Sequence, residues 1–180
     1  GAGHTLMGRV AWHKAVGRCA ALVICGWAMS ATAQPPVLHP AITAFNAYCF
    51  KAGQTAAQAR ANMEALLDGP LPFLLTFWDK SLAPAPGTPA HSERRCEVIL
   101  KGDQATNAVK AVQAQMATPP VFGAPLPLPA PFEATPGTAY IEARELLRRR
   151  VAVVHIGVHG AGGETFLRVD RLPAGMGFGS

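Results

Sequence analysis

Residues 151–171, VAVVHIGVHGAGGETFLRVDR, constrain the fold more than any other part of the chain. Two runs with alternating character flank four small residues, Gly160 to Gly163, which is the pattern of a β-hairpin. If His159 stands opposite Glu164, then Gly157 faces Phe166, His155 faces Arg168 and Val153 faces Asp170. On the other side Val158 meets Thr165, Ile156 meets Leu167 and Val154 meets Val169. One face is then apolar apart from a single threonine, and the other gathers nearly every polar group. A slip of one residue in either strand destroys that sorting, so the pattern itself selects the register. Phe166 across from Gly157 also makes sense, because an aromatic ring covers the gap a strand glycine leaves.

The segments upstream supply helices and further strands. AITAFNAYCFKAG places Ile42, Phe45, Tyr48 and Cys49 at helical spacing, with Gly53 as a stop. QTAAQARANMEALLDGP is a second helix: Thr55 can cap it, and Gly69-Pro70 end it. Its expected buried face is Ala59, Met63, Leu66 and Leu67. LPFLLTFWD reads as a buried strand or extended segment, followed by the proline-rich loop LAPAPGTPAH. RRCEVILKG alternates Cys96, Val98 and Leu100 against Arg95, Glu97 and Ile99, as a strand does. DQATNAVKAVQAQMATPP is a third helix, with Asp103 as its N-cap and Ala108, Val109, Val112 and Met116 on one face. Residues 118–137 form a proline-rich loop, since Pro125, Pro127, Pro129, Pro131 and Pro136 exclude a helix or a central strand. It is expected to lie across the domain, because Phe122, Leu126, Leu128 and Phe132 are interleaved with the prolines. Residues 139–147 are taken as a strand on their position before the hairpin, although their composition also suits a helix.

The expected architecture is α+β: a mostly antiparallel sheet of about five strands, with three helices packed on one face. The C-terminal β-hairpin and one disulfide complete it, in a single domain over 34–180 with a loose glycine-rich tail.

The first 33 residues read as a secretory signal with its start at Met7 and cleavage after Ala33. Arg9, Lys14 and Arg18 make a basic opening, and an uncharged run follows from Cys19 to Met29. That run is too short to span a bilayer, which takes about 20 apolar residues. The expected home is therefore the periplasm or the exterior of a bacterium, with no stable membrane span after cleavage. The leader holds three of the 16 Lys and Arg residues and no acid, leaving thirteen bases against 11 acids. So modest an excess calls for no nucleic-acid partner. Cys19 and Cys25 leave with the leader, and the remaining pair, Cys49 and Cys96, is expected to form one disulfide in an oxidising compartment.

Chemical motifs are few. HGAGG, His159 to Gly163, resembles the H-G-G-G oxyanion element of α/β-hydrolases of the lipase and esterase kind. The resemblance covers five residues, no G-x-S-x-G elbow accompanies it, and Ser180 is the one serine downstream. A metal site at His155 and His159 is disfavoured, because i and i+4 on a strand lie roughly 13 Å apart. No catalytic residues, metal ligands or cofactor are therefore assigned. Two surfaces are left as candidates: the polar hairpin face of His155, His159, Glu164, Arg168 and Asp170, and the basic run Arg148-Arg149-Arg150. A triple arginine can hold an anionic polymer or lipid surface, but at a strand connection it more often marks a solvated turn. The expected function is a non-catalytic binding module of the cell envelope, its partner a protein or another envelope component. The alternative is a periplasmic enzyme or metal-binding protein using His155, His159 and Glu164.

Overall fold

The computed structural model describes residues 1, 34, 37–80, 86–87, 92–118, 122–160 and 163–176. The expected start at Met7, the cleavage point after Ala33, Cys19 and Cys25 lie outside the described residues, as do 161–162 in the hairpin loop and 177–180 of the tail. The chain divides into two compact units, Gly1–Pro35 and Pro36–Ser180. All elements below belong to the second.

The domain is α+β, built on a six-stranded antiparallel sheet. The strands are β1 (Leu74–Asp79), β2 (Arg94–Lys101), β3 (Phe122–Leu126), β4 (Thr138–Leu146), β5 (Val151–His159) and β6 (Glu164–Leu172), in spatial order β1-β2-β6-β5-β4-β3. The helices are α1 (Pro40–Ala44), which runs into a π-helical turn over Phe45–Cys49, then α2 (Ala56–Leu67) and α3 (Ala105–Met116). A capping box starts α2: Thr55 Oγ1 accepts the Gln58 N–H, and Gln58 Oε1 accepts the Thr55 N–H. At the start of α3 the Asp103 carboxylate accepts the Ala105 N–H, although Gln104 is the boundary residue.

The hairpin pairs as its pattern requires, with His155 opposite Arg168, Gly157 opposite Phe166 and His159 opposite Glu164. Gly157 is needed here. A Cβ at this position would sit 2.6 Å from the Gly137 carbonyl oxygen and 2.8 Å from the Phe166 ring.

The core fills the face that α1, α2 and α3 cover. Val98, Leu100, Val154, Ile156 and Leu167 from the sheet meet Ile42, Phe45, Met63, Val112 and Met116 from the helices. The Cys49–Cys96 disulfide ties the π-helical turn to β2. Closing a loop of this length stabilises the fold by about 4 kcal/mol in the chain-entropy model.

Four expectations need correction. The sheet has six strands rather than five, because Phe122–Leu126 inside the proline-rich segment pairs with β4. Pro125 is tolerated there because β3 is an edge strand, with one side free of the ladder. Leu66 is exposed rather than buried, and β1, read as buried, leaves Leu74 exposed and most of its other residues only half-buried, as an edge strand does. Finally, the polar hairpin face is covered at the end where β5 begins and β6 finishes. Leu126, Phe132 and Met176 pack over Ala143, Val151, Val153 and Leu172, forming a second, smaller core.

Candidate functional site

On the outer face the charges of neighbouring strands satisfy one another. Arg95 of β2 grips Asp170 of β6 with two hydrogen bonds, Nε to Oδ1 at 2.8 Å and Nη2 to Oδ2 at 2.9 Å. Ser92 Oγ donates to the same carboxylate at 3.2 Å. Arg168 pairs with Glu97. His155 is 7 % exposed, and its Nε2 lies 2.7 Å from Thr138 Oγ1. Burial, reinforced by Arg168 and Arg95, pulls the pKa of this imidazole down to about 4.

His159 and Glu164, at the hairpin tip, are 3.9 Å apart, and both histidine rings flank Phe166. The five candidate residues thus share one face, but His155 and Asp170 are engaged inside it. Among the described residues no three His, Cys, Asp or Glu side chains converge as a metal site.

The basic run lies elsewhere, where β4 turns into β5. Leu147–Arg149 form a 3₁₀ turn in which Arg148 and Arg149 both take left-handed backbone, with φ of 62° and 58°. Such conformations are costly for residues with a Cβ and persist where surrounding structure holds them. Here the Leu146 N–H donates to the Arg150 carbonyl at 2.7 Å, and the Gly175 N–H to the Arg149 carbonyl at 3.2 Å.

This turn borders a cleft of about 590 Å³ between the end of the π-helical turn, α3, β3 and β6. Arg148, Arg150, Arg171 and Lys51 supply its charge, and Phe50, Phe122 and Leu146 its apolar wall. Phe50 packs edge-on against Phe45 and Phe122, with ring centroids 5.2 and 5.0 Å away, which fixes that wall. A small inner chamber of about 10 Å³ shares Phe50, Phe122, Leu146 and Arg171 with the cleft. Arg94 and the disulfide line its far side.

Arg94 is the unusual member. It is 9 % exposed, its guanidinium lies 4.6 Å from the Phe77 ring, and its Nε and Nη2 have no hydrogen-bond partner. Burial, and then the nearby Arg171, lower its pKa to about 10, with Asp79 opposing them. Arg171 is likewise lowered by burial and by Arg150, against Glu93. Its Nη2 donates to the Phe50 carbonyl at 3.4 Å. Buried polar groups are normally satisfied. Two lowered arginines side by side, one of them with two unsatisfied donors, make a place where negative charge is favoured.

Of the predicted basic run, Arg148 and Arg150 line this cleft, whereas Arg149 lines a shallower groove beside Glu145. Lys51, Arg94 and Arg171 were not singled out from the sequence. A signal for two of them existed. Extending the apolar alternation of β2 back from Cys96 puts Arg94 on the core face, and extending the hairpin register puts Arg171 opposite Ala152 on that same face. Two arginines interrupting an apolar face at one end of a sheet are the trace of this site.

No family model, curated protein or solved structure matches this chain.

Proposed function

We propose that this protein is an exported, non-catalytic binding module of the cell envelope, and that its working surface is the arginine cleft, which holds an anionic ligand. The observation that carries this is the buried Arg94 guanidinium, with its Nε and Nη2 unsatisfied, beside Arg171 in the small chamber that adjoins the cleft. An anion reaching them would meet donors that are already desolvated, and hydrogen bonds between charged partners are the strong ones.

Binding rather than catalysis is favoured by the lining. Among the described residues that border the cleft and its inner chamber there is no carboxylate or histidine, and the cysteines are joined in a disulfide. Histidine and carboxylates are the side chains that most often transfer protons near neutral pH. Export is favoured by the leader pattern and by the disulfide, which persists in oxidising compartments. Among the described residues no helix is long and apolar enough to cross a membrane.

The test is thermal denaturation of the purified protein with inorganic phosphate, against chloride at equal ionic strength. A ligand that binds only the folded state raises the melting temperature with its concentration. The proposal expects such a rise in the wild type and its loss in Arg171→Met. An equal response to phosphate and chloride would overturn it.

A further inference from the structure

We infer that the cleft is built for an amphiphile, a molecule with a phosphate-type head and an apolar tail. The head is held by Arg171, Arg150 and Arg148 above Arg94, and the tail lies along Phe50, Phe122 and Leu147. This rests on the anion-binding proposal above and names its ligand class.

The head follows from the charges. Four arginines and Lys51 surround the cleft and its inner chamber, and the opposing carboxylates acting on Arg94 and Arg171 are Asp79 and Glu93. That excess suits a head with more than one negative charge, and guanidinium forks match the spacing of phosphate oxygens. The inner chamber, at about 10 Å³, has room for a single oxygen-sized group between Arg171 and Arg94.

The tail follows from size and from the wall. A cleft of about 590 Å³ is far more than a bare phosphate fills and lies in the range of sites for small organic ligands. Its wall carries the Phe50–Phe122 aromatic pair and Leu146. Leu147, at the rim, leaves 68 % of its surface in water. A ligand consisting of charge alone would leave all of this apolar surface wet, whereas a tail would cover it.

Calorimetric titration of the purified protein with inorganic phosphate, butyl phosphate and octyl phosphate, each below its micelle concentration, tests the inference. A fully buried methylene strengthens binding roughly fourfold. A cleft open on one side therefore gives about a tenfold gain from butyl to octyl. Leu147→Ser should shrink that gain, lowering octyl phosphate affinity more than inorganic phosphate affinity, and Arg150→Gln should weaken every member of the series.

Binding of inorganic phosphate with no gain from the tail would overturn the amphiphile and leave the anion site standing. Failure of all three compounds to bind would overturn both. Equal binding of octyl phosphate and octyltrimethylammonium would overturn the head assignment. Capture by phosphatidylglycerol vesicles but not by soluble octyl phosphate would overturn the cleft in favour of an extended surface.

Discussion

Arg94 and Arg171 stand directly opposite one another on adjacent antiparallel strands, on the face of the sheet that elsewhere carries the hydrophobic core. Like charges paired across strands oppose folding, and here one of the two guanidiniums also lacks hydrogen-bond partners at Nε and Nη2. A stability-driven sequence has no use for this arrangement. It makes sense where a ligand supplies the missing negative charge.

Arg94→Met should therefore stabilise the ligand-free protein. The substitution keeps most of the side-chain volume and removes a buried cation with two unsatisfied donors, a change worth about 1–3 kcal/mol. Urea denaturation checks it: the midpoint rises, and the stabilisation by inorganic phosphate falls.

Arg148→Gly should have the same opposite effects at an exposed position. Arg148 sits at φ 62°, where glycine escapes the Cβ penalty, so the fold should gain about 1 kcal/mol. Phosphate binding should weaken, because a cation leaves the cleft rim. Melting temperatures with and without phosphate separate the two contributions.

His155 makes stability depend on pH in a defined window. The fold favours the neutral imidazole and holds its pKa near 4. As pH falls through 6.5 the unfolded chain takes up a proton first, and stability drops until the folded ring titrates near 4, below which the loss levels off. The total is at most about 3 kcal/mol. In His155→Gln, urea midpoints should change less between pH 6.5 and 4 than in the wild type. The amide can keep a hydrogen bond to Thr138 without titrating.

Asp170→Asn should be the most damaging single change on the outer face. Asp170 is 1 % exposed and accepts from Arg95 at two atoms and from Ser92. Neutralising it leaves the buried Arg95 guanidinium uncompensated, at a cost of about 3–5 kcal/mol. Chemical denaturation measures this directly. Replacing Arg95 by Met in the same chain should recover part of the loss.

The local pattern carried the hairpin from Val151 to Arg171, because a period of two ties each residue to a face and a wrong register scatters apolar side chains. The Cys49–Cys96 bridge was equally legible, since these are the two cysteines outside the stretch read as a signal and they leave one intramolecular pairing. Sequence also located Arg148 and Arg150, but only as a charged turn.

What only the tertiary structure decided is which surfaces stay open. Covering depends on contacts distant in sequence. Phe132 and Met176, from separate segments, pack against Val151, Val153 and Leu172 on the face of His155 and Asp170, so that part of a face polar in composition is closed while His159 and Glu164 stay open. The arginine cleft arises in the opposite way. Lys51, Arg94, Arg148, Arg150 and Arg171 come from four stretches of chain, and each alone looks like ordinary solvated charge. Alternation along a strand is a local property and can be read off it. Convergence of charge is set by the strand order β2-β6-β5-β4 and by a helix end stapled to β2, which no single stretch encodes.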